Sequence, residues 1–542
     1  MPALSLVTMF EDAAARCGEA PLIDFMGRQY SYRETMEGAN RVAGGLAALG
    51  YGPGDRIGLF LPNVPHYLAA YYGALKLGAT VVNFSPLYTP AELAHQVADS
   101  GTRILFTLSA SALLPTALKV LEESALERLV VGSIAGALPP AKSLFYRLLK
   151  HREVATLPRD PRVISFSRLI ANDGACAMPA IDPERDIALI QYTGGTTGAP
   201  KGAMLTHQNL SANARQVGGI DPHPRDDDRI IGVLPLFHVF ANTCVLNRTV
   251  LNGGTMVLLP RFDAGQTLAA IQRTKATALP GVPTMYRALI DHPKLASTDF
   301  SSLRVCISGG APLPAELKDR FEAATGARLV EGYGLSESSG VLTTNPYEGE
   351  GKPGTIGQPL PGTALRLVDK DDPSKAIANG EPGEIVAAGP QIMRGYWNRP
   401  QADDDTFLTD DAGVRWLRTG DVGTIDADGF VRIVDRLKDM IAVSGFKVFP
   451  SQIEAILYHH PAIKEALVIG LPDPYRGERP RAYVVLHDDA SDTGETLAAW
   501  LNPQLGRHER VDSVVVRASL PKTMIGKLSR KDLVAEVSAT GA

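Results

Sequence analysis

Cysteine is sparse in this 542-residue chain: Cys17, Cys176, Cys244 and Cys306 stand far apart. No Cys-x-x-Cys pair occurs, which removes zinc-ribbon and dithiol readings, and such sparse use fits a reducing cytosol. No run of about 20 uninterrupted apolar residues is present, so no transmembrane helix is expected. The opening MPALSLVTMFEDAAARCGEA lacks a basic start followed by an apolar core, so no secretory signal is expected either. Positive charge is not in excess: 54 Lys and Arg against 59 Asp and Glu give −5 with His neutral. That excludes a global basic field inviting nucleic acid. A fixed-period repeat is missing, which argues against a solenoid. So is a Gly-x-Ser-x-Gly elbow, and with it any evident hydrolase nucleophile. What remains is ordinary: 45% apolar and 21% charged residues, the usage of a globular chain. At about 150 residues per domain the length predicts about three or four folding units.

Strand and helix patterns alternate through most of the chain. Met9 to Ala20 reads as an amphipathic helix, Arg56 to Leu61 as a strand and Pro65 to Leu77 as a helix. Ala79 to Phe84 reads as the next strand, Ala91 to Asp99 as a helix entered through Pro90, and Arg103 to Thr107 as a strand. Thr255 to Leu259, Ala276 to Leu279 and Arg304 to Ser308 are further strand candidates. This alternation predicts parallel sheets covered by helices, an α/β class. Lys142 to Arg162 holds six Lys or Arg against Glu153 and Asp160, a net of +4, with Leu144, Phe145, Leu148 and Leu149 at helical spacing. A basic amphipathic helix can lie on an anionic membrane; a surface helix with a charged outer face is the favoured alternative. Near Asp435 the elements become short, and a charged turn at Arg436 to Asp439 predicts a domain boundary. The expected domains are residues 1–435 and 436–542. Ser451 and Glu454, after Pro450, have capping-box spacing for a helix running toward Tyr458.

The most informative stretch is Tyr192 to Gly202, YTGGTTGAPKG, between the apolar run Ile187 to Ile190 and a helical segment starting at His207. Gly194, Gly195, Gly198 and Gly202 allow close backbone approach and positive φ. Thr193, Thr196 and Thr197 bring hydroxyls and amides, and Lys201 a cation; together these suit a polyphosphate. It is not a Walker loop, because Gly202 follows the lysine and the GxxxxGK spacing fails. A flexible turn is the bland reading, and the length and residue order argue against it. The loop resembles the phosphate-loop signature of the adenylate-forming enzymes: acyl-CoA synthetases, firefly luciferase and peptide-synthetase adenylation domains. The resemblance spans nearly the whole chain, since further signatures follow in that family's order, and the wording is most similar to bacterial medium- and long-chain fatty acyl-CoA ligases. It implies a large N-terminal domain of stacked mixed and parallel sheets with helices, a small β-barrel-like subdomain, and a small mobile α+β C-terminal domain.

Several constellations take their roles from this resemblance. SGGAPL, Ser308 to Leu313, would line the adenine site with Gly310 and Ala311, and glycines there admit a planar ring. In EGYGLSES, Glu331 to Ser338, Glu331 and Gly332 would border the nucleotide, Tyr333 offers a flat face to adenine, and Ser336 a hydroxyl near the α-phosphate, where the family usually has Thr. Glu337, with Thr193, would ligate Mg²⁺, which binds through few carboxylates plus phosphate oxygens. Asp421 of LRTGD would accept hydrogen bonds from the ribose hydroxyls. In DRLKDMIAVSGFKVFP, Arg436 would contact ribose and phosphate, Lys438 would be the hinge, and Gly445 would lie near the path of CoA. Ala442 and Lys447 depart from plant coumarate ligases, which weakens an aromatic-acid reading. In PKTMIGKLSR, Lys527 would reach the α-phosphate; Ile525 departs from the small residue more usual there. LPLFHVFA places His238 beside the carboxylate end of the substrate. Residues 232–247 carry no Asp, Glu, Lys or Arg, which suits an apolar acyl wall; GVPTMY, Gly281 to Tyr286, would form another.

The resemblance therefore implies an AMP-forming acyl-CoA synthetase, with Lys527, Lys201, Glu337 and His238 as catalytic groups and ATP, Mg²⁺ and CoA as partners of a medium-to-long-chain fatty acid. Aryl- and dicarboxylate-CoA ligases are the alternatives, and an inactive nucleotide-binding regulatory paralogue is the alternative of a different class. A cytoplasmic location is expected, with peripheral contact at the inner membrane face through residues 142–162, and a homodimer, left open.

Overall fold

Short strands buried on both faces and flanked by helices build the first part of the chain; Ile104–Leu108, for example, is buried at every position, as central parallel strands are. The computed structural model describes residues 1–149, 153–193, 200–222, 227–370, 372–444, 446–488, 490–523 and 526–540. Proximity of the backbone divides them into two units: Met1–Ala364 with Ala388–Asp405, and Leu365–Ala387 with Thr406–Ala542.

The first unit holds two large sheets. One has eight strands in the order Gly395–Tyr396, Lys201–Thr206, Ile187–Thr193, Thr80–Asn83, Arg56–Leu59, Ile104–Leu108, Arg128–Gly132, Val163–Ser165. All from Ile187–Thr193 onward run parallel, while Lys201–Thr206 and Gly395–Tyr396 are antiparallel. The other has nine strands, with a parallel centre that includes Ala278–Gly281, Val305–Ser308 and Arg328–Tyr333 and antiparallel strands at its edges. In such sheets ligands gather outside the carboxyl ends of the strands, and there the three glycine-bearing motifs of this unit begin.

One helix ties the motifs together. His207–Gly219 starts at Thr206, whose side chain accepts from Asn209 N in a capping box, and most of its length is buried. Its polar side chains must then find partners. Asn213 Nδ2 donates to Val341 O at 2.8 Å and its Oδ1 accepts from Val341 N at 3.0 Å. Gln216 Nε2 donates to Pro361 O, and Asn209 Nδ2 to Pro390 O.

The second unit holds two sheets of its own. The long strand Arg415–Ile425 pairs antiparallel with Gly383–Ala388, Phe407–Thr409 and Val431–Arg436 in a six-stranded sheet. After the turn at 437–440 a five-stranded sheet follows, centred on the paired strands Ile463–Asp473 and Gly477–Leu486. Their alternation feeds two cores. Ala466, Val468, Ala482 and Val484 pack with Ile453, Leu457, Leu497 and Leu501, while Leu467, Ile469, Leu471 and Tyr483 pack with Leu533 and Val537. The expected border at 435/436 therefore falls inside the second unit, one residue before the end of strand Val431–Arg436 and just ahead of the turn between its two sheets. The capping box expected at Ser451 does not form. Helix Pro450–Leu457 has Phe449 at its N-cap without a side-chain bond; Ser451 N instead donates to Asp435 Oδ2, and Glu454 takes Arg530. Among the described residues no helix is long and apolar enough to cross a membrane.

Candidate functional site

The phosphate-type loop is closed by a hairpin whose register pairs Tyr192 with Gly202 and Thr193 with Lys201. Gly194, Gly195, Thr196, Thr197 and Gly198 lie outside the described residues. The base of the loop is anchored on Asp99. Tyr192 Oη donates to Asp99 Oδ2 at 2.7 Å, Arg399 Nη2 to Asp99 Oδ1 at 2.5 Å, and Trp397 Nε1 to the Asp99 carbonyl at 3.1 Å. Burial, reinforced by Asp99, holds the Tyr192 phenol well above its ordinary range. Glycine is required at 202, since a Cβ there would stand 2.7 Å from Ile190 Cγ2.

Strand Gly395–Tyr396 lies beside Lys201–Thr206, with Tyr396 opposite Ala203. This brings Tyr396 between two expected site residues. Lys201 Nζ sits 4.8 Å from the centre of the Tyr396 ring. Tyr396 Oη donates to Glu337 Oε1 at 2.6 Å, and Met393 N donates to the Glu337 carbonyl at 2.8 Å. The loop lysine and the glutamate of the second signature thus share one locus. Among the described residues Lys201 and Glu337 form no ion pair with each other; Tyr396 meets the cation with its face and the carboxylate with its hydroxyl. Among the described residues neither charge is spent in an ion pair. No group of three or more His, Cys, Asp and Glu poised for a metal occurs among the described residues. A divalent cation at Glu337 would therefore draw most of its oxygens from a ligand, the habit of Mg²⁺ on a polyphosphate. Thr193, the expected co-ligand, stands at the hairpin mouth opposite Lys201.

The adenine-type segments come together at neighbouring strand ends. Ser308 pairs in register with Glu331 on parallel strands. Gly310 adopts φ 77°, in the left-handed region, and a Cβ on Gly309 would press to 3.1 Å against the Phe240 ring. Ser308 Oγ is buried without a hydrogen-bond partner among the described residues. Glu331 Oε1 accepts from Leu313 N at 3.2 Å. Burial pushes the Glu331 carboxyl up to about 8, and the Leu313 amide offsets part of that. Ala311 lies between these residues in the same turn. Gly332 and Tyr333 pair with Thr344 and Thr343, and Ser336 opens the short turn Ser336–Ser338 that carries Glu337.

His238 caps the short helix Val239–Ala241, its Nδ1 accepting from Phe240 N at 3.3 Å. The segment is pinned from both sides. Asn63 Nδ2 donates to the carbonyls of Gly232 and Leu234, and Tyr67 Oη to that of Leu236. Thr243 Oγ1 donates to Ser339 O at 2.6 Å, which sets His238's segment against the turn bearing Glu337. The uncharged stretch continues as the buried π-helix Asn242–Asn247. The expectation that Gly281 to Tyr286 forms a second wall needs correction at Tyr286. Its ring is in the core, and its hydroxyl donates to Leu279 O at 2.6 Å and Ile307 O at 3.0 Å, bridging two strands.

In the second unit Asp421 and Arg436 face each other across paired strands, Arg436 Nε lying 2.9 Å from Asp421 Oδ1, with Asp421 buried. Lys527 belongs to the same group. Burial lowers its ammonium to about 8, Arg436 pushes in the same direction, and Asp421 offsets part of it. Arg530 next to it is clamped by Glu454 and Asp439. Lys438 is exposed in the turn between the two sheets. Gly445 lies outside the described residues. Tyr396 is the residue that sequence reasoning missed: an aromatic in RGYWNRP carries no local mark of its two partners.

Known proteins of similar sequence and fold cover nearly the whole chain. The AMP-binding enzyme family matches residues 10–397, and the AMP-binding enzyme C-terminal domain matches residues 452–527. A long-chain-fatty-acid–CoA ligase of Bacillus subtilis is 39% identical over 540 residues, 99% of this chain and 95% of that protein. A feruloyl-CoA synthase of an Amycolatopsis species is 36% identical over 509 residues, 94% of each chain. The crystal structure of ATP-bound MatB from Rhodopseudomonas palustris superposes with a TM-score of 0.85 at 28% identity, covering 99% of this chain and 100% of that one.

Proposed function

The chain belongs to the AMP-binding enzyme family, and from that premise we propose that it is an AMP-forming acid–thiol ligase. It activates a medium-to-long-chain fatty acid with ATP as the acyl-AMP, then passes the acyl group to CoA, releasing AMP and pyrophosphate. The observation that carries the reading is the contact chain Lys201–Tyr396–Glu337, which joins the phosphate loop to the second signature. Similarity to long-chain ligases over almost the whole chain supports the substrate class.

A free carboxylate is a poor electrophile, and it repels ATP. The site must neutralise charge before anything reacts. Lys201 and the loop threonines bind the polyphosphate, while Tyr333 and the Gly309–Gly310 turn receive adenine and Asp421 the ribose. Glu337 with Thr193 would hold Mg²⁺, which when bound supplies positive charge to the phosphate oxygens. A substrate carboxylate oxygen then attacks the α-phosphorus. The bond from that phosphorus to the bridging oxygen breaks, and pyrophosphate leaves with the electron pair. Lys527, as an ammonium, stabilises the charge that builds on the α-phosphate. Positioning and electrostatics of this kind supply most of the acceleration in phosphoryl chemistry. In the second step the thiol sulfur of CoA attacks the acyl carbon, its proton passes to solvent, and AMP departs as the acyl–oxygen bond breaks. His238 orients the carboxyl end, and the uncharged segment 232–247 receives the aliphatic tail. Lys438 is the hinge between the two steps, and Gly445 borders the CoA path.

An aryl acid is the second reading, favoured by the similarity to a feruloyl-CoA synthase. The deciding experiment is CoA-dependent AMP release with acids from acetate to oleate, plus benzoate, coumarate and pimelate. Maximal release with medium or long aliphatic acids supports the proposal, and a maximum at benzoate or coumarate replaces the substrate class. ATP binding without pyrophosphate release for every acid would leave a nucleotide-binding regulatory protein.

A further inference from the structure

A buried carboxylate joins the two sheets of the second unit. Asp435, 1% exposed, stands on strand Val431–Arg436, ahead of the turn at 437–440. Its Oδ1 accepts from Arg436 N at 2.7 Å and its Oδ2 from Ser451 N at 2.9 Å. Ser451 lies beyond the turn, in helix Pro450–Leu457. That helix starts from Phe449, which makes no side-chain cap bond, and Pro450 has no N–H to offer. Ser451 N is therefore the first helical amide that needs an acceptor from outside the helix. Asp435 supplies it from across the turn, so the cap and the helix it serves stand on opposite sides of Lys438. A second attraction crosses at the same place. Burial raises the Asp435 carboxyl above its ordinary range, and the charge of Arg530 is the largest opposing influence, followed by the Ser451 and Arg436 amides. Arg530 belongs to the far side: its guanidinium donates to Glu454 Oε2 at 2.6 Å, to Asp439 Oδ2 at 3.0 Å and to the Val468 carbonyl at 3.2 Å. Three residues before it stands Lys527, whose ammonium feels Arg436 and Asp421 on the near side.

We propose that Asp435 is a positioning residue for adenylation: by capping helix Pro450–Leu457 across the turn and facing Arg530, it holds the five-stranded sheet in the orientation that keeps Lys527 beside Asp421 and Arg436, and it lets go when that sheet swings for thioester formation. Resting on the two-step ligase reading and deepening it, the role is tested with Asp435→Ala in the full chain. Acid-dependent ATP–pyrophosphate exchange falls about tenfold, the factor of one charge-assisted hydrogen bond. Thioester formation from supplied acyl-AMP and CoA stays at or above the wild-type rate. Trypsin cleavage after Lys438, which is exposed in the turn, accelerates by a similar factor. Asp435→Asn, with one acceptor oxygen for two amides, gives intermediate values of both. Phe449→Asp offers the helix a cap from its own side of the turn. Added to Asp435→Ala, it restores the melting temperature but leaves exchange low and cleavage fast, because the bond across the turn is still missing. Equal loss of both half-reactions in Asp435→Ala overturns the proposal, and so does cleavage at the wild-type rate. Exchange that recovers with the melting temperature in the double variant overturns it too, since the cap would then serve stability alone. A wild type that exchanges pyrophosphate with no acid removes the ligase reading instead, and the cleavage rates of the variants still decide whether Asp435 holds the turn.

Discussion

Deleting one oxygen atom from Tyr396 isolates the contact on which the nucleotide reading turns. Tyr396→Phe keeps the ring, and with it the face that Lys201 Nζ approaches at 4.8 Å. It removes the donor that holds Glu337 Oε1 at 2.6 Å. A hydrogen bond to a charged group contributes about 1.5–3 kcal/mol. Glu337 is only half-buried, so the lower end applies, about 1.5–2 kcal/mol, or roughly 10- to 30-fold in an equilibrium. If Tyr396 positions Glu337 for Mg²⁺, that factor appears as a weakened apparent Mg²⁺ affinity in acid-dependent ATP–pyrophosphate exchange, and excess Mg²⁺ restores part of the rate. A purely structural role would lower the melting temperature and leave the Mg²⁺ dependence alone. Tyr396→Leu also removes the ring, adding about 0.5–1 kcal/mol for the lost cation–π contact. In a double-mutant cycle, Glu337→Gln makes the Tyr396→Phe effect largely disappear, because the two side chains act as one unit. Wild-type exchange by folded Tyr396→Phe at every Mg²⁺ concentration would refute the reasoning.

Lys527→Ala abolishes adenylation but largely spares thioester formation from supplied acyl-AMP; equal loss of both steps rejects the assigned role. With its ammonium lowered to about 8, Lys527 loses its proton as pH rises through that value, so adenylation falls there, and Lys527→Arg moves the falling limb to higher pH; a limb that stays in place tells against Lys527 as its source. Glu331, raised from 4.5 to about 8 by burial, binds more protons folded than unfolded between those values, so stability drops as pH rises across the window. Melting temperatures of Glu331→Gln should therefore decline less steeply from pH about 5 to 8, and parallel curves would contradict the assignment. Lys438→Pro, in the turn between the two sheets of the second unit, slows thioester formation more than adenylation, whereas equal loss counts against a hinge.

Much of this molecule was legible before folding because its signals are local. Short apolar runs punctuated by glycine and proline mark strands such as Ile104–Leu108 and Val305–Ser308, and their bounds shift by only a residue or two. Lys201 and Glu337 stood out because their motifs are contiguous. What escaped depends on partners far away in the chain. Tyr396 is defined by a lysine and a glutamate on other elements. Helix 207–219 reads as ordinary and polar, yet it is buried, because the carbonyls and amides that satisfy Asn213 and Gln216 come from residues 341 and 361. The spacing of Ser451 and Glu454 suggested a cap, but Arg530 offered Glu454 a charge-assisted partner, stronger than a neutral backbone amide. Tyr286 suggested a tunnel wall until its hydroxyl met two carbonyls in the core.

The pairing of Thr193 with Lys201 has a consequence for how this protein can vary. Along a strand, side chains point to opposite faces in turn, so slipping the return strand by one position would rotate Lys201 away from Tyr396. Substitutions between the two residues leave that orientation intact; a single inserted or deleted residue that shifts the register does not. Register is therefore a constraint of its own beside the glycine and threonine content of the loop: a one-residue slip of the return strand should cost function even where every phosphate-binding side chain is kept.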